Sequence, residues 1–205
     1  MKNQKTQMLV EGALMLAMAA ALSMITPFQR ILPFGGSITI VSMLPICLFS
    51  IRHGVKNGVM LSSLFSFYQL GEGIIKEGLL GWGLTPLMLI GCILFDYIIA
   101  FSVIGLAGIF RDKGKTGCLA GIVLALGLRY LSHFISGVVI FASTGKIWDE
   151  LDFIASNKFI YSAVYNGAFM LPEILFTVLV TAVLLAAPQT NKLLLTPKTA
   201  DAAQA

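Results

Sequence analysis

The sequence contains few charged residues. Aspartate, glutamate, lysine and arginine make up 12% of its 205 residues, whereas an ordinary soluble domain carries about 25%. Hydrophobic residues reach 57% and the mean hydropathy is +0.88. This composition excludes a disordered tail, a nucleic-acid-binding arm and a secreted disulfide scaffold. We therefore expect membrane lipid, and no nucleic acid, among the partners.

Cysteines and enzyme motifs are also scarce. Cys47, Cys92 and Cys118 are odd in number and lack the spacing of a metal site, so neither a metal nor another cofactor is expected. The sequence has no GxxxxGK[ST] loop, so it does not hydrolyse ATP by that route, and it has no HExxH or GxSxG motif. A non-enzymatic protein is expected. A membrane-embedded transferase or protease that uses His133 and Asp96 as acid and base stays open.

Six apolar runs predict an all-α integral membrane protein, because a helix needs about 20 apolar residues to cross a bilayer. The predicted spans are 8–27, 37–51, 55–71, 79–110, 117–142 and 160–187. They form one six-helix transmembrane domain over 1–190, followed by a short tail over 191–205. Glu11 interrupts the first run, so we expect this span to be retained rather than cleaved as a signal peptide.

Basic residues predict that both termini are cytoplasmic, by the positive-inside rule. Nine lie on the side of the termini: Lys2, Lys5, Arg52, Lys56, Arg111, Lys113, Lys115, Lys192 and Lys198. Four lie on the other side: Arg30, Lys76, Lys146 and Lys158. The acidic residues Glu72 and Glu77 belong to the outer connections in this scheme.

Ionisable residues inside the spans are candidates for function, because each costs about 2.5–3.5 kcal/mol at mid-membrane. At 1.5 Å per residue, Asp96 lies about 22 Å from the inner end of helix 4. Arg129 and His133 lie about 21 and 27 Å from the inner end of helix 5. Tyr161 and Asn166 fall within about 10 Å of the outer end of helix 6. Three helices thus bring polar groups to a similar depth.

This convergence predicts an outward-facing pocket for a small polar aromatic molecule, with aromatic and acidic groups that suit a ligand cation. The candidate substrate-binding residues are Asp96, Tyr97, Arg129, His133, Phe141, Tyr161 and Asn166. The competing interpretation is a buried ion pair between Asp96 and Arg129 that only holds two helices together. Glu11 and Glu173 are interpreted as structural, the former reaching the membrane surface and the latter satisfying carbonyls near Pro172.

Helix 1 carries small residues every four positions, at Ala13, Ala17 and Ala21. Such a strip lets another helix approach closely. It serves either packing within the bundle or contact with a partner. The pairs Gly54/Gly58 and Gly117/Gly121 have the same spacing and are interpreted as internal packing.

Three local motifs resemble the substrate-binding S components of energy-coupling factor (ECF) transporters, and among them the thiamine-specific family. They are Asp96-Tyr97 leading into Gly105-Leu106-Ala107-Gly108-Ile109-Phe110-Arg111, Arg129-Tyr130-x-x-His133-Phe134-x-x-Gly137, and Tyr161-Ser162-x-x-x-Asn166-Gly167. The resemblance covers most of the chain, from Glu11 to about Gly167.

The resemblance implies a six-helix bundle in the bacterial cell membrane that binds thiamine at the pocket described above. It also implies partners: a transmembrane coupling subunit (EcfT), contacted by the helix 1 alanines, and two ATPase subunits (EcfA and EcfA'). Asp96, Arg129 and Phe141 depart from the family's usual glutamate, lysine and tryptophan. Another water-soluble vitamin or a pyrimidine precursor is therefore the alternative ligand. A stand-alone transporter and a purely structural subunit also stay open.

Overall fold

The computed structural model describes residues 2–25, 39, 41–148 and 153–195, and this part of the chain is mostly helical. The helices are α1 (Lys2–Ser23), α2 (Leu44–His53), α3 (Val55–Ile75), α4 (86–108), α5 (114–141), α6 (Lys158–Ala186) and the short α7 (Pro188–Leu195). Short 3-10 turns occur at Leu79–Gly81 and Arg111–Lys113. An antiparallel pair of strands, β1 (Gly145–Lys146) and β2 (Ile154–Ala155), lies between α5 and α6.

Each predicted apolar run overlaps one of the first six helices. Among the described residues, three segments are long and apolar enough to cross a membrane, namely Gln4–Ser23, Pro86–Phe141 and Lys158–Ala186, and the second of these holds both α4 and α5. The chain is therefore a multi-pass membrane protein. The ten residues of α2 extend only about 15 Å, so the count of six complete spans stays a prediction. Arg30 and the stretch 26–38 lie outside the described residues.

Local sequence signals explain where several helices begin. Thr85 caps α4 by accepting a hydrogen bond from the Met88 amide, and Pro86 occupies the first helical position, where its missing N–H costs nothing. Asn157 caps α6 by accepting hydrogen bonds of 3.0 Å from two backbone amides. Gly54, with φ of 85°, separates α2 from α3 in a conformation that favours glycine.

Glycines allow the helices to pack with their backbones in contact. A Cβ atom at Gly105 of α4 would collide with the backbone of Gly58 and Val59 in α3, and one at Gly121 of α5 would collide with the Ala107 carbonyl. The Ser50 hydroxyl accepts a hydrogen bond of 3.0 Å from the Gly108 amide. The internal-packing interpretation of the glycine pairs agrees with these contacts.

An ionic cluster at one end of the bundle ties the first, second and last helices together. The Glu11 carboxylate lies 2.7 Å from Arg52 Nε and 2.7 Å from His53 Nε2. Arg52 Nη1 also donates to the Leu193 carbonyl of α7. The structural interpretation of Glu11 agrees with these contacts, which pair its charge with two residues of α2.

Candidate functional site

A cavity of about 170 Å³ opens at the other end of the bundle. Its lining comes from the C-terminal parts of α1, α3 and α5, from the N-terminal parts of α4 and α6, and from Thr39 and Met43 just before α2. The successive helices therefore alternate in direction. All seven candidate binding residues from the sequence line this cavity: Asp96, Tyr97, Arg129, His133, Phe141, Tyr161 and Asn166.

Two helices widen into π turns where they border the cavity. Asp96 and Tyr97 lie in the π segment Ile93–Ile99 of α4, and Phe141 ends the π segment Gly137–Phe141 of α5. A π turn adds a residue to the helical repeat, which rotates the following side chains relative to a regular helix. The acidic and aromatic candidates are therefore aimed by local departures from α-helical geometry.

Asp96 is engaged with α5. Its Oδ1 lies 2.9 Å from Nδ1 of His133, and its Oδ2 accepts a hydrogen bond from the Ser136 hydroxyl. Within the described part of the chain no salt bridge joins Asp96 to Arg129, so the interpretation of these residues as an ion pair was wrong. His133 Nε2 is buried and has no hydrogen-bond partner among the described residues, so this nitrogen is available for a hydrogen bond with a ligand.

Arg129 is buried beneath the cavity and packs on an aromatic ring. Its guanidinium carbon lies 4.3 Å from the centre of the Phe101 ring, a distance typical of a cation–π contact. Its Nη1 lies 3.1 Å from the sulfur of Met43. The arginine therefore belongs to the base of the cavity.

Glu173 fixes the beginning of α2. It is 2% exposed and accepts hydrogen bonds from the Thr39 hydroxyl at 3.0 Å and from the Met43 amide at 3.2 Å. The structural interpretation of Glu173 agrees with these contacts, but the expected partners were wrong: its carboxylate binds donors at the start of α2 and not groups near Pro172. Since Thr39 and Met43 line the cavity, Glu173 positions part of the wall.

One wall of the cavity is a row of aromatic rings on α6. Tyr161 stacks on Tyr165 with the ring centres 6.1 Å apart, and Tyr165 meets Phe169 edge to face at 6.0 Å. Phe169 in turn lies 5.6 Å from the His133 ring. Sequence reasoning missed Tyr165 and Phe169, although their four-residue spacing from Tyr161 puts all three on one helical face.

Asn166 links this wall to α5. Its amide nitrogen donates to the Ser162 carbonyl at 2.9 Å and to the His133 carbonyl at 3.3 Å. Gly137 lies against the same groups, since a Cβ atom there would collide with the Ser162 hydroxyl. The backbone of α5 thus approaches α6 closely beside the cavity.

The α3–α4 connection and the end of α3 supply cavity residues that the sequence analysis did not select: Glu72, Glu77 and Trp82. The Tyr97 hydroxyl donates to Glu77 Oε2 at 3.2 Å. Trp82 Nε1 donates to the Glu77 carbonyl at 3.0 Å, and the Trp82 ring lies 6.1 Å from the ring of Phe141. The charge pattern placed these acidic residues in the outer connections, so no signal marked them as part of the site.

The alanine strip of α1 faces outward. Ala13, Ala17 and Ala21 are all exposed, as are the neighbouring Leu14 and Met18 at 59% and 52%. The side of α1 that packs within the bundle carries Gly12 and Ala19, which are buried. The strip therefore leaves a smooth apolar surface on the outside of the protein.

The helical fold and its apolar helices define a multi-pass membrane protein, and the open cavity at one end, lined by aromatic and polar side chains, has the character of a small-molecule site. Comparison with known protein families identifies the family to which the chain belongs. The model of the family described as thiamine transporter protein (Thia_YuaJ) matches residues 9–193. The chain belongs to this family, which is a family of transporters and not of enzymes. The resemblance stated from the sequence motifs is confirmed.

Individual relatives agree with this assignment. The chain is 32% identical to the thiamine transporter ThiT of Bacillus subtilis (strain 168) over 196 residues, which cover 89% of this chain and 93% of that protein. It is 28% identical to ThiT of Lacticaseibacillus paracasei, over 72% of this chain and 73% of that protein. The chain also matches the solved structure of ThiT from Listeria monocytogenes, with a TM-score of 0.67 and 22% sequence identity. The match covers 92% of this chain and 98% of the Listeria chain, which establishes that the two share a fold.

Proposed function

We propose that the chain is the thiamine-binding membrane subunit of an ECF-type transporter and takes part in thiamine uptake. The observation that carries this proposal is one cavity lined by all seven candidate residues, in a chain that belongs to the thiamine transporter family. The cavity combines carboxylates, buried hydrogen-bonding groups and aromatic faces, which suit a cationic aromatic vitamin.

Each side of the cavity has a distinct role in this proposal. His133 accepts a hydrogen bond from the ligand through Nε2, which is unpaired among the described residues. Asn166 uses its amide nitrogen within the protein, so it orients the ligand through its oxygen. Tyr161, Phe141 and Trp82 provide faces for stacking.

The first test is a titration with thiamine of the purified chain in detergent, monitored by tryptophan fluorescence and by calorimetry. Trp82 lines the cavity, whereas Trp148 is not among its lining residues. We therefore expect saturable binding with a fluorescence change that Trp82→Phe abolishes and Trp148→Phe preserves. Binding of a different vitamin instead would change the identity of the proposed ligand. If no vitamin of a panel bound, the chain would be interpreted as a structural subunit.

In the proposed assembly the chain crosses the membrane six times, with both termini in the cytoplasm. It binds a transmembrane coupling subunit (EcfT) that is driven by two ATPase subunits (EcfA and EcfA'). The outward-facing strip of Ala13, Ala17 and Ala21 supports a helix–helix contact with EcfT, since small exposed residues allow two helices to approach closely. Uptake by this chain alone would contradict the assembly.

Enlarging the alanine strip should separate ligand binding from assembly. Ala17 is exposed, so Ala17→Leu should leave the fold and thiamine affinity of the isolated chain unchanged while it blocks close approach of a partner helix. We expect loss of co-purification with EcfT and the ATPases. Val183→Leu is the matched control, because Val183 lies 71% exposed on α6. Normal assembly of the Ala17 variant would exclude the strip as the interface.

A further inference from the structure

The cavity contains more negative charge than the sequence analysis assigned to it. Three carboxylates line it, those of Glu72, Glu77 and Asp96. Both oxygens of Asp96 have hydrogen-bond partners, His133 and Ser136, and Glu72 forms an ion pair with Lys76. Within the described part of the chain, Glu77 is the cavity carboxylate that is bound by one neutral group, the Tyr97 hydroxyl, and has no salt bridge.

The hydrogen bond from Tyr97 holds Glu77 toward the cavity. Tyr97 itself is 7% exposed and packs against Gly73, where a Cβ atom would collide with the tyrosine hydroxyl. Glycine at this position of α3 thus makes room for the hydroxyl that orients the carboxylate. Glu77 is held in place by these contacts, although it lies in a loop.

Two aromatic rings that line the same cavity lie near the backbone of Glu77. The Glu77 carbonyl accepts the hydrogen bond of the Trp82 indole, and Trp82 packs near Phe141. A cation is attracted both by a carboxylate and by the faces of aromatic rings. Two independent features therefore favour positive charge at this side of the cavity.

Burial raises the pKa of the Glu77 carboxyl above its ordinary value, and the nearby charge of Glu72 raises it further, while the Tyr97 hydrogen bond lowers it. The Glu77 residue as a whole is exposed, and its carboxylate has no salt bridge to balance its charge among the described residues. A positively charged ligand would supply that balance.

We propose that Glu77 holds the positive charge of the ligand, and that Asp96 is a positioning residue that orients His133. This inference rests on the proposed function and deepens it by assigning to Glu77 the contact with a ligand cation that the sequence analysis expected of Asp96. Asp96 keeps the proton on Nδ1 of His133, so that Nε2 accepts a hydrogen bond from the ligand. Glu77, which lies in the α3–α4 connection, gives the site its preference for a positively charged ligand.

The test compares thiamine with a neutral analogue in which carbon replaces the charged nitrogen of the thiazolium ring. Calorimetry on the wild-type chain and on Glu77→Gln gives four affinities. We expect Glu77→Gln to weaken thiamine binding by roughly 10- to 100-fold and to change binding of the neutral analogue by less than about threefold. The preference of the wild type for the charged ligand should then largely disappear.

Asp112→Asn is the matched control, because Asp112 is 91% exposed and this change removes the same charge away from the cavity lining. It should alter neither affinity. Equal losses for both ligands in Glu77→Gln, or no loss for thiamine, would overturn the role of Glu77. If the wild-type chain bound neither ligand, the proposed function itself would fail, which is a distinct result.

Discussion

Alanine in place of Asp96 is expected to weaken thiamine binding by about 2–4 kcal/mol, which is roughly 30- to 1000-fold. The change removes the acceptor of the His133 ring and of the Ser136 hydroxyl. His133 would then be free to adopt the other tautomer or to rotate, and Nε2 would no longer be held as an acceptor. Calorimetric titration of the purified variant measures the loss.

A second substitution at the same position distinguishes orientation of His133 from negative charge. Asp96→Asn keeps one oxygen that can accept from His133, so the loss should be smaller than for alanine. Thermal unfolding of each variant shows whether the fold is intact. Wild-type affinity in a folded Asp96→Ala protein would remove this residue from the binding machinery.

The largest effect on stability is expected from Gly105→Ala. The added Cβ would collide with the backbone of Gly58 and Val59, and main-chain atoms in the middle of a helix do not move aside as a side chain does. The variant must separate α3 from α4 over their contact. We expect a loss of about 2–4 kcal/mol in the free energy of unfolding, measured as a lower Tm in detergent.

Gly127→Ala provides the comparison. A Cβ atom at Gly127 meets nothing within 4 Å, and alanine is favoured over glycine inside a helix by about 1 kcal/mol. This variant should be as stable as the wild type or slightly more stable. Equal melting temperatures for both glycine variants would show that α3 and α4 can move apart at little cost in the free energy of unfolding.

The sequence allowed the helices and the level of the cavity to be predicted. Apolar runs long enough for a bilayer are conspicuous, and a fixed rise per residue converts position along a helix into depth. That arithmetic brought Asp96, His133 and Asn166 to one level without any knowledge of packing. The structure places all three in the lining of the same cavity.

Pairing between residues was not predictable in the same way, because it depends on the rotation of each helix about its own axis. A regular repeat of 3.6 residues does not describe α4 around Asp96, where the helix is of π type. The carboxylate therefore meets His133 and not Arg129. Glu173 has partners 130 and more residues away in sequence, which no local pattern encodes.

Loop residues were the other omission. Glu77 and Trp82 lie in a connection between helices, and a charge in such a segment is usually solvated. Only the return of this segment over the end of the bundle brings them into the cavity. A charge in a short loop thus acquires a role through tertiary contacts.

The ionic cluster around Glu11 has a mechanical consequence. The cluster joins α1 to Arg52 and His53 of α2 and, through Arg52, to the Leu193 carbonyl of α7. It therefore links the first helix to the last helix of the described chain. At the cavity end the cross-links are different, since Asp96 of α4 bonds to His133 and Ser136 of α5 and Asn166 of α6 bonds to the His133 carbonyl. The two ends of the bundle are thus joined by separate polar networks, and a substitution that disrupts one leaves the other in place.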